Sequence, residues 1–345
     1  MTTTSPHAFD ITHIWENYLP TNLVELPSLA KLTGVARVFA KLEGERPLGN
    51  FKLLGGMMAG LWALARAAGV PTPLVLRSRA KRSRSLPRLV CASDGNHGLA
   101  VAAAARWAGT TAMIYLPASV SRFRVDRIRS LGAAVVAVEG SYDDAVQAAA
   151  AAAAGQGILV PDTSSDLNDI VVADVMKGYS VITRELVVQL DAAGARPSHL
   201  FVQAGVGGLA AAMAEGLHAR MRPPGGILVV EPERAACVAH ALEAGHPISL
   251  FGDLETVAEM LSCGTASAPA LAILQRHRAQ SIVVTDDQLR FAVDALRRAD
   301  GPETTASGAA GLAGFLKTAA DAELRALHGL SSSSDVLLVV TEGPD

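Results

Sequence analysis

His199-Leu-Phe-Val-Gln-Ala-Gly-Val-Gly-Gly-Leu-Ala210 passes from an apolar strand (HLFV) through a glycine-rich turn straight into the helical AAMAEGLHAR that ends at Arg220. Strand, glycine turn and helix in that order form the repeating unit of a parallel α/β sheet. Glycines at such a junction let the backbone approach an anion, and the helix N-terminus offers it unpaired N–H groups and a favourable dipole. The segment therefore reads as a phosphate cradle. Gly205, Gly207 and Ala210 also fit GxGxxG/A, with Glu231 at the end of the next strand, where a ribose-binding acid would stand. By itself the loop does not separate a dinucleotide from another phosphorylated ligand, or either from a structural turn.

Outward from this loop the same alternation continues. The spacing predicts strands over Arg37–Leu42, Leu89–Ala92, Ala112–Leu116, Ala134–Val138, Ile158–Val160, Leu200–Gln203, Ile227–Glu231, Ile282–Thr285 and Val336–Thr341, with alanine-rich helices between them. Leu289, Ala292, Val293 and Leu296 keep the spacing of one buried helix face within Asp286–Arg298. Val120, Phe123, Ile128 and Leu131 do the same among four arginines. This pattern predicts an α/β fold with mostly parallel sheets flanked by helices. The strand–helix series from 89 to 160 closes before an irregular PDTSSDLND, so two domains are expected: 50–160 as a small α/β domain, and 1–49 with 161–345 as a larger one.

Composition narrows the function. The 345 residues are half apolar, 4% aromatic and carry a net charge of −3, which argues against a nucleic-acid binder and for a small-molecule enzyme. Cys91, Cys237 and Cys263 lack metal-ligand spacing, so buried thiols in a reducing cytoplasm and no metal site are expected. The N-terminus has neither a basic nor an apolar signal region, and no uncharged stretch resembles a membrane span. Only six residues are lysine: Lys31, Lys41, Lys52, Lys81, Lys177 and Lys317. The one strong charge block, Arg77–Arg88, reads as a solvated loop.

Three further segments carry chemistry-bearing residues. In Leu48-Gly-Asn-Phe-Lys-Leu-Leu-Gly-Gly56, Lys52 opens an apolar helix, a setting that disfavours its ammonium form and suits a nucleophilic amine, although a lysine snorkelling from a helix end would look the same. Ser93-Asp-Gly-Asn-His-Gly98 joins a strand to a helix and gathers a carboxylate, an amide and an imidazole; an Asp or Asn helix cap would explain only one of them. Pro161-Asp-Thr163 places Asp162 at the domain junction, as a turn residue or a second base.

Taken together and in this order, the motifs resemble the tryptophan synthase β-like (fold type II) family of pyridoxal-phosphate enzymes, and within it the diaminopropionate ammonia-lyases. PLGNFK is similar to the family's Schiff-base lysine motif, SDGNHG to its substrate loop and AGVGG to its phosphate loop. PDT, MKGY (Met176–Tyr179), Glu259-Met-Leu-Ser-Cys-Gly264, SGAAGLAG (Ser307–Gly314) and TEG (Thr341–Gly343) complete the likeness from about residue 20 onward. The resemblance implies pyridoxal 5'-phosphate bound through Lys52, its phosphate on the amides of Gly205, Val206, Gly207 and Gly208, its ring hydroxyl oxygen on Asn96 and its pyridine nitrogen on Thr341. A neutral hydroxyl at that nitrogen would leave it unprotonated. Asp94 and Asp162 would be the general bases, one for each substrate enantiomer. The implied reaction is α,β-elimination on 2,3-diaminopropionate or a related β-substituted amino acid, giving pyruvate and ammonia. The alternatives within the fold are β-replacement and a serine/threonine dehydratase-like activity. A cytoplasmic homodimer with an amino-acid substrate and no nucleic-acid or membrane partner is implied as well.

Overall fold

The structure is a computed structural model that describes residues 9–76, 86–140 and 142–344. Two compact units divide the chain. One comprises the described residues up to Pro20 with Lys52–Pro161 and Ile170–Val181, and the other Thr21–Phe51, Asp162–Asp169 and Ile182 onward. Residues 9–20 and 170–181 thus fall in the unit that holds the smaller sheet, whereas the sequence pattern assigned them to the larger domain.

The larger unit is built on a six-stranded sheet of β1 (Leu23–Glu25), β2 (Arg37–Leu42), β7 (His199–Gln203), β8 (Gly226–Pro232), β9 (Gln280–Val284) and β10 (Asp335–Val340). Their order is β1-β2-β10-β7-β8-β9, and every pair is parallel except β1 with β2. Strands covered on both faces must be apolar throughout, and β7, β8 and β10 are buried along nearly their whole length. Helices α1 (Pro27–Thr33), α7 (Gly208–Leu217), α8 (Cys237–Ala244), α9 (Ala268–Arg276), α10 (Asp286–Arg298), α11 (Ala310–Ala320) and α12 (Ala322–His328) belong to this unit. Its core includes Phe201, Leu228, Ile282, Leu289, Phe315 and Leu338. A capping box between Thr285 and Gln288 starts α10 at the residue its periodicity predicts.

The smaller unit holds a four-stranded, all-parallel sheet of β3 (Arg88–Ala92), β4 (Ala112–Pro117), β5 (Ala134–Val138) and β6 (Gly157–Leu159), in the order β5-β4-β3-β6. Helices α2 (Lys52–Ala67), α3 (Asn96–Ala108), α4 (Arg122–Ser130) and α5 (Tyr142–Gln156) accompany it, and α6 (Ile170–Ala192) begins in this unit and ends in the other. The apolar arc read into α4 is weaker than its spacing suggests: Ile128 is buried, but Phe123 is exposed and instead receives the Arg127 guanidinium over its ring. Residues 77–85 of the arginine-rich run lie outside the described residues, and Arg88 opens β3. Among the described residues, no helix is long and apolar enough to cross a membrane, and no cluster of His, Cys, Asp or Glu could hold a metal.

Candidate active site

The glycine loop leaves the C-terminal end of β7 and enters α7, as its sequence requires. Its carbonyls decide which way its amides face. The Gly205 carbonyl accepts from Cys237 Sγ (3.3 Å), and the Val206 carbonyl accepts from the Ser267 N–H (2.9 Å). In a trans peptide the C=O and the following N–H point in opposite directions, so the N–H groups of Val206 and Gly207 are turned away from those partners. Among the described residues, the N–H groups of Gly205, Val206, Gly207 and Gly208 meet no acceptor. Gly207 has φ of +96°, a conformation that favours glycine, and a Cβ on Gly205 would stand 2.9 Å from Cys263 Sγ. Four consecutive free amides at the start of α7 fit a dianionic phosphate.

On the neighbouring strand, β10, the residue after the last strand position is Thr341, which is buried. Its Oγ1 accepts from Gln203 Nε2 (3.0 Å), and its carbonyl accepts from the Phe51 N–H (3.1 Å). The TEG and LGN segments are laced together further: Asn50 bridges Glu342, and the Gly343 N–H donates to Gly49 O (2.9 Å). Gly44 owes its identity to this contact, since a Cβ there would lie 2.6 Å from Gly343 N. Phe51, held on Thr341, is the residue before Lys52. The SGAAGLAG and EMLSCG motifs pack behind the loop: Gln203 Nε2 shares its two hydrogens among Thr341 Oγ1, Ser307 O and Gly308 O, and the Met260 N–H donates to Ser307 Oγ.

In the smaller unit the remaining motifs meet each other. Lys52, half-buried, is the first residue of α2. The glycines that follow it serve packing: a Cβ on Gly55 would stand 2.4 Å from the Tyr179 ring, and one on Gly56 would stand 2.5 Å from Ala100 Cβ. Gly178 is packed tighter still, 2.4 Å from Leu54 O by the same measure. FKLLGG, SDGNHG and MKGY are thus one cluster of closely apposed helices. Within SDGNHG the four polar residues divide. Ser93 Oγ caps α3 by accepting from Gly95 N (2.9 Å) and Gly98 N (2.8 Å), and the buried His97 bonds Val160 O through Nε2 (2.8 Å). The serine thus takes N–H groups at the start of the helix, and the imidazole ties the turn to Val160. Asp94 and Asn96 remain half-buried in the turn. Asp162, in the larger unit, is buried in the segment whose Ser164 carbonyl accepts from the N–H of Ala268 at the start of α9.

Two groups depart from their sequence reading. Glu231 is not a ribose ligand. Fully buried, it accepts from the N–H groups of Val238 and Ala239 (2.7 Å each) and so caps α8, while burial pushes its carboxyl up to about 8. This removes the acid that a dinucleotide reading of the loop needs. Lys41 is the lysine that sequence reasoning missed, being more deeply buried than Lys52. Its three N–H bonds are all used, by Thr21 O (2.7 Å), Glu185 Oε2 (2.6 Å) and Gln189 Oε1 (2.9 Å), beside an Arg46 that binds both Glu43 and Glu185. Burial lowers the Lys41 ammonium and raises the Glu185 carboxyl, yet no hydrogen of that amine is left for a ligand. No local pattern announces this group, because its partners stand far apart in the chain.

A parallel sheet ending in free amides at a helix start, with a buried hydroxyl on the adjoining strand, suits a phosphorylated ligand. The comparisons with known proteins say which. Residues 14–342 match the family model described as pyridoxal-phosphate dependent enzyme, and the chain belongs to that family. Its cofactor is pyridoxal 5'-phosphate. The diaminopropionate ammonia-lyase of Escherichia coli (strain K12) is 30% identical over 338 residues, spanning 94% of this chain and 85% of that protein. A crystal structure of the holo diaminopropionate ammonia lyase from Escherichia coli superposes with a TM-score of 0.85 at 28% identity, covering 96% of this chain and 86% of that one. A human serine dehydratase-like protein is 30% identical over 280 residues, spanning 81% of this chain and 76% of that protein.

Proposed function

We propose that this chain is a pyridoxal-phosphate-dependent carbon–nitrogen lyase that removes ammonia from 2,3-diaminopropionate or a related β-substituted amino acid and yields pyruvate. The observation that carries the reading is the likeness to diaminopropionate ammonia-lyase along nearly the whole chain, joined to a loop whose four amides meet no acceptor among the described residues. When bound, the cofactor supplies an electron sink for the bond-breaking at the substrate's α-carbon.

The residues divide the remaining work. The amides of Gly205, Val206, Gly207 and Gly208 hold the phosphate. Thr341 Oγ1 would hold the pyridine nitrogen and Asn96 the ring hydroxyl oxygen. Lys52 supplies the amine that carries the cofactor, placed by the bond from Phe51 to Thr341. Asp94 and Asp162 are the two general bases, each taking the α-proton of one enantiomer, and as acidic groups they also favour a substrate with a second ammonium. The similarity to a serine dehydratase-like protein supports hydroxy amino acids as the alternative substrates. The same reading carries a cytoplasmic homodimer, which light scattering would check.

Two measurements test it. Borohydride reduction of the purified protein followed by peptide mass analysis should leave the cofactor on the peptide containing Lys52, and Lys52→Ala should abolish that adduct. A screen of D- and L-2,3-diaminopropionate, serine, threonine and O-acetylserine, read as pyruvate or ketobutyrate, should show fastest turnover with a diamino acid. Faster turnover of serine would transfer the assignment to a dehydratase, and conversion to a new amino acid with an added thiol would transfer it to a β-replacement synthase.

A further inference from the structure

Gln203 is the last residue of β7, and 2% of it is exposed. Its Nε2 stands 3.0 Å from Ser307 O, 2.9 Å from Gly308 O and 3.0 Å from Thr341 Oγ1. Backbone carbonyls only accept, so the two carbonyls fix which end of the amide is nitrogen. An amide nitrogen cannot accept in turn, and the Thr341 hydroxyl hydrogen must therefore point elsewhere. Among the described residues it meets no acceptor, although Thr341 is only 3% exposed. A buried hydroxyl whose lone pair is engaged and whose hydrogen is not is poised to donate to an acceptor supplied by a ligand.

We infer that Gln203 is a positioning residue that fixes the Thr341 hydroxyl as a hydrogen-bond donor, so that the ring nitrogen facing it is held in its unprotonated, accepting form. The inference rests on the placement of Thr341 at the cofactor's pyridine nitrogen. It adds that the direction of that hydrogen bond is set by the amide on the neighbouring strand and not by the threonine alone. Without Gln203 the carbonyls of Ser307 and Gly308 lose their donor, the Thr341 hydroxyl is no longer fixed in direction, and the ring nitrogen loses its partner.

The test is to reconstitute the protein with pyridoxal phosphate labelled with 15N at the ring, and to read the nitrogen resonance and the cofactor dissociation constant. The unmodified protein and Thr341→Ser should share the position of an unprotonated, hydrogen-bonded nitrogen. Gln203→Met and Thr341→Val should both move it toward the unprotonated nitrogen without a hydrogen bond and weaken cofactor binding about 3- to 10-fold, the worth of one such bond. The double variant should be no worse than either single one, since Gln203 acts through Thr341. A Gln203→Met resonance at the unmodified position, with Thr341→Val displaced, overturns the role of Gln203. An unmoved Thr341→Val resonance removes Thr341 from the ring nitrogen and overturns the inference, leaving the lyase reading standing on Lys52. Failure of the unmodified protein to bind the cofactor overturns that reading itself. Should Gln203→Met not fold, the unmodified holoprotein suffices: its ring nitrogen should not titrate across about pH 6 to 9, and titration there refutes a fixed donor.

Discussion

Gly178→Ala separates a packing requirement from helix preference with unusual clarity. A Cβ at this position of α6 would lie 2.4 Å from Leu54 O, 2.7 Å from Gly55 Cα and 2.8 Å from Leu54 C, all of them backbone atoms of α2 that cannot rotate aside. Ordinary contact needs about 3.5 Å between carbons, so the two helices must part by roughly 1 Å. Overpacking of this kind costs about 3 kcal/mol at the upper end of its range, from which alanine's better helix preference returns about 1 kcal/mol. The net loss of about 2 kcal/mol should lower the midpoint of thermal unfolding by roughly 4–8 °C. Gly155 in α5 provides the control, because a Cβ there meets nothing within 4 Å. Gly155→Ala should raise the midpoint by roughly 2–4 °C from helix preference alone. Since Lys52 is the first residue of α2, Gly178→Ala should also lower the rate of pyruvate formation about 10- to 100-fold, while Gly155→Ala leaves it unchanged. Circular dichroism of the cofactor-free proteins decides the matter: a Gly178→Ala midpoint at or above that of the unmodified protein would show that the contact is not a constraint.

Three further outcomes are expected. Glu231→Ala strips two buried N–H groups of α8 of their acceptor and should destabilise the protein by about 3 kcal/mol in urea unfolding, without conferring or removing any nicotinamide binding. His199 is neutral in the fold, its Nε2 bonded to His328 O and its Nδ1 to Ser198 Oγ, and burial holds its pKa below the usual 6.5. The unfolded chain then binds the extra proton, so stability should fall as pH drops below about 6.5, by up to about 1.4 kcal/mol per pH unit, and His199→Gln should flatten that slope. Asp94→Asn and Asp162→Asn should abolish turnover of opposite enantiomers of 2,3-diaminopropionate; equal loss of both enantiomers in each variant would dispose of the two-base assignment.

Which features were legible from the chain follows from the range of the signals. The bounds of β2, β5 and α10 coincide with those their periodicity predicts, because alternation and capping are local and these elements are regular. The strand β1 was missed: three half-exposed residues pairing antiparallel at an edge carry no recognisable pattern. Around the site, the motifs pointed to the glycine loop, whose amides meet no acceptor among the described residues. They could not name the Gln203–Thr341 bond, whose partners are 138 residues apart, or the Lys41–Glu185 bond across 144. Glu231 shows the opposite failure, a correct spacing for one chemistry occupied by another. Its distance from the glycine loop suits a ribose acid, yet the start of α8, seven residues on, claims both of its oxygens.

Strand order brings residues from distant parts of the sequence to one end of one sheet. In the larger sheet β2, β10 and β7 are consecutive and parallel, so their C-terminal ends share one edge. The glycine loop leaves β7 there and Thr341 leaves β10. The segment after β2 returns to bond Thr341 through Phe51 just before Lys52. Ligands of open α/β sheets bind beyond the carboxyl ends of the strands, where loops diverge. The glycine loop, the Thr341 hydroxyl with the Gln203 amide bonded to it, and the bond from Phe51 to Thr341 all belong to one unit. In the smaller unit Asp94 and Asn96 stand on a turn braced by Ser93 and His97. Substitutions at Gly207 or Thr341 should therefore register first in cofactor retention, and those at Asp94 first in turnover.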